Sequence, residues 1–219
     1  MQIQLPYSGL QWSDIPFLLT GIYHTLLLTV ITVVLGTLLG IFIGWARESS
    51  KYPRIMFGPL IDVVRSIPLI IQFILVNSFF AMAGFPASPL VIGGVVLSIY
   101  MGVLTSELVR AGLRSVRPEL KKASRSLGLT YWQELFHVSG PLAFRAVFPG
   151  WVGTVIGVTK DTALVSVVGY VELLRASQIL INRSNEALLV LAGTGLFYFI
   201  ICYPISRYSR SLEKVLKHD

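Results

Sequence analysis

Long apolar stretches with almost no charge constrain this chain more than any other feature. A helix needs about 20 mostly apolar residues to cross a bilayer core of ~30 Å. Five stretches of suitable length cover residues 17–46, 57–85, 90–106, 146–170 and 187–206. Charged residues make up only 13% of the chain, about half the ~25% of an ordinary soluble domain. We therefore predict an all-α integral membrane protein, with five transmembrane helices in a single domain over residues 1–219.

Lysine and arginine lie mainly on one side of these spans. The first loop, the third loop and the C-terminal tail hold 14 of the 18 basic residues, whereas the second and fourth loops hold two. Because cytoplasmic loops carry the excess of basic residues, we predict the N-terminus outside and the C-terminus in the cytoplasm. The asymmetry also accounts for the net charge of +7 without a nucleic-acid partner. The first apolar run is too long for a cleavable signal peptide, so we expect it to stay in the membrane.

The longest polar segment, residues 110–141, has the pattern of two short helices joined by a glycine turn. Pro118-Glu119 suits a first helical turn, and Gly128 suits a left-handed helix end. Thr130, with a glutamine three residues later, forms a capping-box pattern for a second helix. We expect Gly140-Pro141 to end that helix. A helix pair with basic and apolar faces fits two alternatives, which are binding to lipid headgroups and docking of a soluble partner.

Two motifs resemble those of the permease subunits of ABC importers. The triplet Lys122-Ala123-Ser124, followed by Gly128 and later Pro141, resembles the Glu-Ala-Ala…Gly pattern of the family's coupling loop. Residues 160–169 read Lys-Asp-Thr-Ala-Leu-Val-Ser-Val-Val-Gly and precede Val-Glu-Leu. They resemble the Lys-Asp-Thr-Ser-Leu…Gly…Glu-Leu signature of the polar amino-acid branch.

Three further segments agree with the same family. They are Arg65-Ser66-Ile67-Pro68-Leu69, Glu107-Leu108-Val109-Arg110-Ala111-Gly112 and Ser206-Arg207…Leu212-Glu213. The segments occur in the family's order on the expected topology, so the resemblance covers nearly the whole chain, from about residue 17 to 216.

The resemblance implies a permease subunit of an ATP-driven, binding-protein-dependent importer of polar amino acids, in a bacterial plasma (inner) membrane. Alternating access would be driven by a separate cytoplasmic ATPase dimer that docks on the coupling loop and holds ATP and Mg. This chain lacks a Gly-x-x-x-x-Gly-Lys-Ser/Thr loop, so we expect no cofactor here and no enzymatic activity. The other expected partners are an extracytoplasmic amino-acid-binding protein, membrane lipid and a second permease subunit.

The coupling loop departs from the family pattern in ways that bear on the partners. Lys122 reverses the charge of the family's glutamate, Ser124 replaces an alanine, and Gly140 replaces the leucine before the proline. Because the charge reversal removes an expected pairing with the ATPase, we favour a heterodimer with a non-identical permease over a homodimer.

Charged and polar residues within the spans are candidates for the solute pathway. Lys160 and Asp161 interrupt an apolar run, where a charge costs roughly 2.5–3.5 kcal/mol, so they line the pathway or fix one helix to another. Thr162 and Ser166 are four residues apart, which places them on one helix face, for solute binding or for close packing. Pro68 breaks a helix and makes a gate with Arg65 possible.

Other polar residues have structural alternatives that we favour. Asp62 with Arg65, and Glu107 with Arg110, are spaced to form ion pairs on a helix. Glu172 is a candidate contact for the binding protein, with a helix cap as the alternative. The glycines at 36, 40 and 44 predict close helix packing. A membrane enzyme would need a cluster of reactive side chains, and the sequence offers none. The remaining functional alternative is an ATP-independent channel or secondary carrier for small polar solutes.

Overall fold

The computed structural model describes residues 9–218, with side chains described to residue 211. The N-terminal residues 1–8, the end of the Ser206…Glu213 motif and the tail lysines at 214 and 217 therefore lie outside the described residues or side chains. Within the described part, the chain is helical and contains no strand. The elements are α1 (Ile15–Ser49), α2 (Lys51–Ser66), α3 (Leu69–Met82), α4 (Pro89–Ser115), α5 (Pro118–Ser126), α6 (Tyr131–Glu134), α7 (Gly140–Asp161), α8 (Leu173–Ser184) and α9 (Ala187–His218).

Three irregular helical segments complete the description. Residues Trp12–Asp14 and Thr162–Val168 form 3-10 helices, and Leu135–Ser139 forms a π-helical turn. Among the described residues, four stretches are long and apolar enough to cross a membrane: Trp12–Ser49, Pro89–Ser115, Tyr131–Val168 and Ala187–Ser211. The first two extend past the predicted bounds at both ends, the third extends at its start only, and the fourth at its end only. The all-α membrane architecture is confirmed.

The predicted span over residues 57–85 is interrupted by a break in the helix. The chain instead forms α2 and α3, which are bent by 108° at the break between them. Ile67, which precedes Pro68, has extended backbone angles (φ −88°, ψ 128°) because a proline disfavours the helical conformation of the residue before it. Proline also lacks the N–H that would continue the helix. The helix-breaking effect expected of Pro68 is confirmed.

The chain divides into two compact units, which are described separately. Of the described residues, the first unit comprises 9–31, 69–96 and 159–204, and the second comprises 32–68, 97–158 and 205–218. In the first unit Val165 packs closely against Gly93 of α4, because a Cβ on Gly93 would lie only 2.5 Å from the Val165 Cγ1. In the second unit Leu113, Val116 and Ala143 form a buried apolar cluster.

In the second unit, α1 packs against α4 through the predicted row of glycines. A Cβ on Gly36 would lie 2.6 Å from the Met101 side chain, and one on Gly40 would lie 2.5 Å from that of Thr105. One on Gly44 would lie 2.7 Å from a backbone oxygen of α4. Small residues let two backbones approach closely within a membrane. The close packing predicted for this row is confirmed.

Ion pairs join the same two helices where the apolar packing ends. Arg47 of α1 pairs with Glu107 of α4, and Glu48 accepts a hydrogen bond from Arg114 at 2.8 Å. Arg110 lies 3.6 Å from Glu48. The predicted pair between Glu107 and Arg110 is therefore wrong, because each residue finds an opposite charge on α1 instead. These contacts fix the end of α1 to the end of α4.

The expectation that Gly140-Pro141 ends a helix is also wrong. The chain passes from α6 through the π-helical turn directly into α7. The backbone N–H of Gly140 donates to the Leu135 carbonyl, five residues back. That carbonyl would lie only 2.5 Å from a Cβ at position 140, so only glycine fits without a shift. The wide turn carries the chain past a proline that cannot donate a hydrogen bond.

Candidate functional sites

The first candidate site lies in the first unit, where α7 ends and the 3-10 helix begins. Lys160 is exposed and Asp161 is partly exposed on the last turn of α7. The four ion pairs found among the described side chains include neither residue. An ammonium and a carboxylate in adjacent positions can bind the two charged groups of a zwitterion.

The structure corrects the prediction for the two hydroxyl residues that follow. Three residues make a turn of a 3-10 helix, so positions four apart lie on different faces. Thr162 is completely buried and donates to the Thr159 carbonyl at 2.8 Å, so it does not face a solute. Ser166 is partly buried and donates to the Ala163 carbonyl, also at 2.8 Å. The prediction that Thr162 and Ser166 share a helix face is therefore wrong.

Glu172 closes the corner that follows the 3-10 helix. Gly169 has a positive φ of 89°, which turns the chain, and Glu172 then caps α8. Its carboxylate accepts hydrogen bonds from the backbone N–H groups of Leu174 (2.8 Å) and Arg175 (2.7 Å). The side chain has 0% exposure, so it offers no surface to a binding protein. Glu172 is therefore a helix cap, and the predicted contact of this residue with a binding protein is wrong.

The first half of α1 fixes this corner from the other side. Thr25 accepts a hydrogen bond from the backbone N–H of Leu173 at 3.1 Å, and His24 bonds to the Val171 carbonyl at 2.8 Å. A Cβ on Gly21 would lie 3.0 Å from the Leu173 Cα, which shows how closely α1 approaches. The corner after the 3-10 helix is therefore held by hydrogen bonds between its own backbone and side chains of α1.

We expect Glu172→Ala to be destabilised by roughly 1–3 kcal/mol, because alanine leaves two backbone N–H groups without an acceptor, and Glu172→Gln to lose less, because its single amide oxygen still accepts from one of them. Burial raises the pKa of the Glu172 carboxyl, although its backbone hydrogen bonds act in the opposite direction. Thermal unfolding of the purified variants measures the difference, and equal losses for both would contradict a capping role.

The gate candidates lie in the second unit and do not form the predicted ion pair. Asp62 and Arg65 are both exposed on α2, and none of the ion pairs among the described side chains joins them. Pro68 is exposed at the break between α2 and α3. Arg65 is therefore an exposed cation in the last turn of α2.

The second candidate site is the coupling segment, α5 and α6 of the second unit. Gly128 has a φ of 86°, and Thr130 with Gln133 forms the predicted capping box, with bonds of 3.4 Å and 2.9 Å. Gly128 thus lies in the turn between α5 and α6. Ser124 is buried and donates to the Lys121 carbonyl, so it points away from any partner. Pro141 lies in the first turn of α7.

Lys122 is exposed and lines a polar cleft of ≈ 710 Å³. The same cleft contains Glu48 and Glu134, and Glu134 is buried and accepts a hydrogen bond from Ser139. None of the ion pairs among the described side chains joins Lys122 to either carboxylate.

The sequence analysis missed two residues on the outer side of α5. Leu120 is 44% exposed and Leu127, just after the helix, is 82% exposed, with exposed Ala123 between them. Their spacing of three and seven residues places them along one helix side. That spacing was available in the sequence, but the polar residues between the leucines obscured it.

The end of α1 also holds the start of α6. Tyr131 Oη accepts a hydrogen bond from Trp45 Nε1 at 3.1 Å and lies 2.8 Å from Ser49 Oγ. Trp45 stacks on Trp132 with ring centroids 5.4 Å apart. These contacts make α1 a support for the coupling segment, which the sequence motifs did not indicate.

Residues 36–218 match the family model described as binding-protein-dependent transport system inner membrane component. The chain belongs to this family. It is therefore a multi-pass component of an inner membrane transport system, and the family resemblance and the location predicted from the sequence are confirmed. The match covers the coupling segment and the 160–172 region alike.

Individual relatives are similar over nearly the full length. The chain is 31% identical to the L-cystine transport system permease protein TcyB of Bacillus subtilis (strain 168), covering 97% of this chain and 92% of that protein. It is 29% identical to the glutamine transport system permease protein GlnP of Escherichia coli (strain K12), covering 98% and 99%. A crystal structure of an amino acid ABC transporter with histidines has a TM-score of 0.83 at 26% identity, covering 94% of this chain and 99% of that one.

Proposed function

We propose that this family member is the permease subunit of an ATP-driven importer that takes up a polar amino acid from an extracytoplasmic binding protein. The observation that carries the proposal is the placement of Lys160 and Asp161 at the end of α7, where charges of both signs interrupt an apolar stretch. An amino acid presents a carboxylate and an ammonium to match them. The names of the relatives, which include cystine and glutamine permeases, support this solute class.

The proposed orientation places α5 and α6 in the cytoplasm with the C-terminus, and the N-terminus outside. The support is the excess of basic residues in the first loop, the third loop and the tail. In this orientation the coupling segment faces an ATPase dimer, and ATP and Mg are held by that partner. Arg65 and Pro68, at the bend between α2 and α3, are the proposed moving part of a gate.

The proposed coupling surface consists of Leu120, Ala123 and Leu127. The left-handed Gly128 ends α5, and the capping box starts α6 beyond it, so the apolar side chains are held on a defined turn. Exposed leucines beside a polar cleft outside the membrane spans need an apolar partner surface. A second permease completes the transporter, and we favour a non-identical one because Lys122 reverses the charge of the glutamate in the family's coupling-loop pattern.

The test is uptake and ATP hydrolysis by the complete transporter in proteoliposomes, with its ATPase and binding protein and a panel of polar amino acids. We expect one amino acid to stimulate both activities. Asp161→Asn and Lys160→Gln should each reduce uptake about tenfold or more, since a hydrogen bond to a charged group contributes ~1.5–3 kcal/mol. Lys51→Gln, at an exposed position at the start of α2, is the matched control.

Two outcomes would contradict separate parts of the proposal. Uptake that proceeds equally without ATP would favour the alternative of a channel or secondary carrier. Full uptake by both variants would remove Lys160 and Asp161 from the solute pathway while leaving the importer itself in place.

A further inference from the structure

An apolar groove of ≈ 450 Å³ lies within the second unit, between the end of α1, the end of α4, the π-helical turn and the start of α7. We call it the aromatic groove, and its aromatic lining residues are Phe42, Trp45, Trp132, Phe136 and Phe144. The other lining residues are also apolar. Phe42, Phe136 and Phe144 are 59–68% exposed, so the groove is open at its surface.

Aromatic side chains with polar tips mark one boundary of the groove. Trp45, Trp132 and Phe136 stack in sequence, with centroid distances of 5.4 Å and 6.0 Å. The Trp45 N–H points to the Tyr131 hydroxyl, which lines the polar cleft. Tryptophan and tyrosine take such positions where an apolar environment meets a wet one. The aromatic groove and the polar cleft share Leu113 and Leu135 as a common wall.

The cleft on the other side of that wall is rich in cations. Lys121, Lys122 and Arg125 line it, and the Arg125 guanidinium lies 5.7 Å from the centre of the Tyr131 ring. Lys121 donates a hydrogen bond to the Leu113 carbonyl at 2.7 Å, whereas Lys122 and Arg125 are exposed. The cleft carboxylates are engaged, because Glu48 pairs with Arg114 and Glu134 accepts from Ser139.

The cations do not lie on the proposed coupling surface. On an α-helix, Arg125 is about 140° and Lys122 about 160° around the axis from Leu120. An ATPase on the leucine side of α5 therefore leaves these two side chains free to bind another group. The arrangement is an apolar groove beside an aromatic boundary and two available cations, in a chain that spans a membrane.

We propose that the aromatic groove holds an acyl chain of an anionic phospholipid, and that Arg125 and Lys122 bind its phosphate. The two parts of such a lipid match the two neighbouring environments. Basic residues near a membrane surface favour anionic lipids by about fivefold each. The proposal does not depend on which solute is carried, so it can fail while the importer function stands.

The test is photocrosslinking in the complete transporter, with benzoylphenylalanine in place of Phe144. The transporter is placed in nanodiscs in which phosphatidylglycerol is the minor lipid and phosphatidylcholine the major one. We expect adducts at this position to contain phosphatidylglycerol at least about fivefold above its bulk share. Benzoylphenylalanine at Val30, which is 60% exposed on α1 outside the groove, should give adducts that follow the bulk composition.

Substitutions in the cleft connect the headgroup to the groove. Arg125→Gln should reduce the enrichment about fivefold, and Arg175→Gln, at an exposed arginine of α8, should leave it unchanged. Adducts at the bulk ratio, or an enrichment that is insensitive to Arg125, would overturn the proposal. Adducts to a second permease or to the ATPase would overturn it as well, because a protein would then cover the groove.

A second measurement does not require the photoreactive residue. The unmodified transporter should retain phosphatidylglycerol when it is purified in detergent, and the Arg125→Gln variant should lose this lipid. Equal retention by both proteins would count against the site.

Discussion

Leu127→Glu should detach the ATPase from the transporter. Leu127 is 82% exposed and follows α5 on the same side as Leu120, so it is available to fill an apolar pocket of a partner. A buried leucine side chain contributes about 1.5–3 kcal/mol, which corresponds to roughly 10- to 150-fold in affinity, and a carboxylate in its place adds a desolvation cost. We expect the ATPase to be lost during copurification and solute-stimulated ATP hydrolysis to disappear.

Leu188→Glu provides the matched control for this experiment. Leu188 is 87% exposed in the first turn of α9, where a carboxylate is compatible with the helix dipole. The same substitution at this site should leave the ATPase attached. If Leu127→Glu retained both the ATPase and its coupling to transport, the leucines of α5 would not be the docking surface.

Gly40→Ala should destabilise the second unit although it adds only one methyl group. Its Cβ would lie 2.5 Å from the Cβ of Thr105 and 2.7 Å from the Gly102 carbonyl oxygen, and the second of these atoms is backbone. Overpacking of this kind costs about 1–3 kcal/mol, or roughly 2–12 °C in Tm for a chain of this size. Thermal unfolding of the detergent-solubilised protein measures the change.

Gly157→Ala tests whether alanine in a helix is tolerated where space is open. A Cβ at Gly157 of α7 meets no atom within 4 Å, so this variant should be as stable as the parent or slightly more stable. Similar losses of Tm for the two variants would contradict the view that the α1–α4 contact depends on the absence of a side chain at position 40.

The helical elements followed largely from local sequence, because local rules govern them. Apolar length predicted the membrane helices, and the capping box at Thr130 and the left-handed Gly128 needed only neighbouring residues. The glycine row of α1 was also readable, since its four-residue spacing is specific for close helix packing. These features depend on contacts within one helix or on one repeating face.

The ion-pair partners of charged side chains could not be predicted from the local sequence in the same way. Glu107 and Arg110 are correctly spaced to pair, but α1 brings Arg47 and Glu48 to them, and a tertiary contact replaced the local one. The prediction that Thr162 and Ser166 share a helix face was wrong for another reason. The helical period changes from 3.6 to 3 residues per turn after Asp161, and no residue in the sequence marks that change.

The π-helical turn before α7 determines where this chain can change in length. A one-residue deletion inside an α-helix rotates everything beyond it by about 100°, which would turn Phe144 and Trp151 away from their neighbours. The wide turn over Leu135–Ser139 already contains one surplus residue relative to an α turn. Deletion of His137 would convert it to a regular helix with α7 kept in phase. Relatives that are one residue shorter are therefore expected to carry their gap at this turn, with glycine at position 140 no longer required.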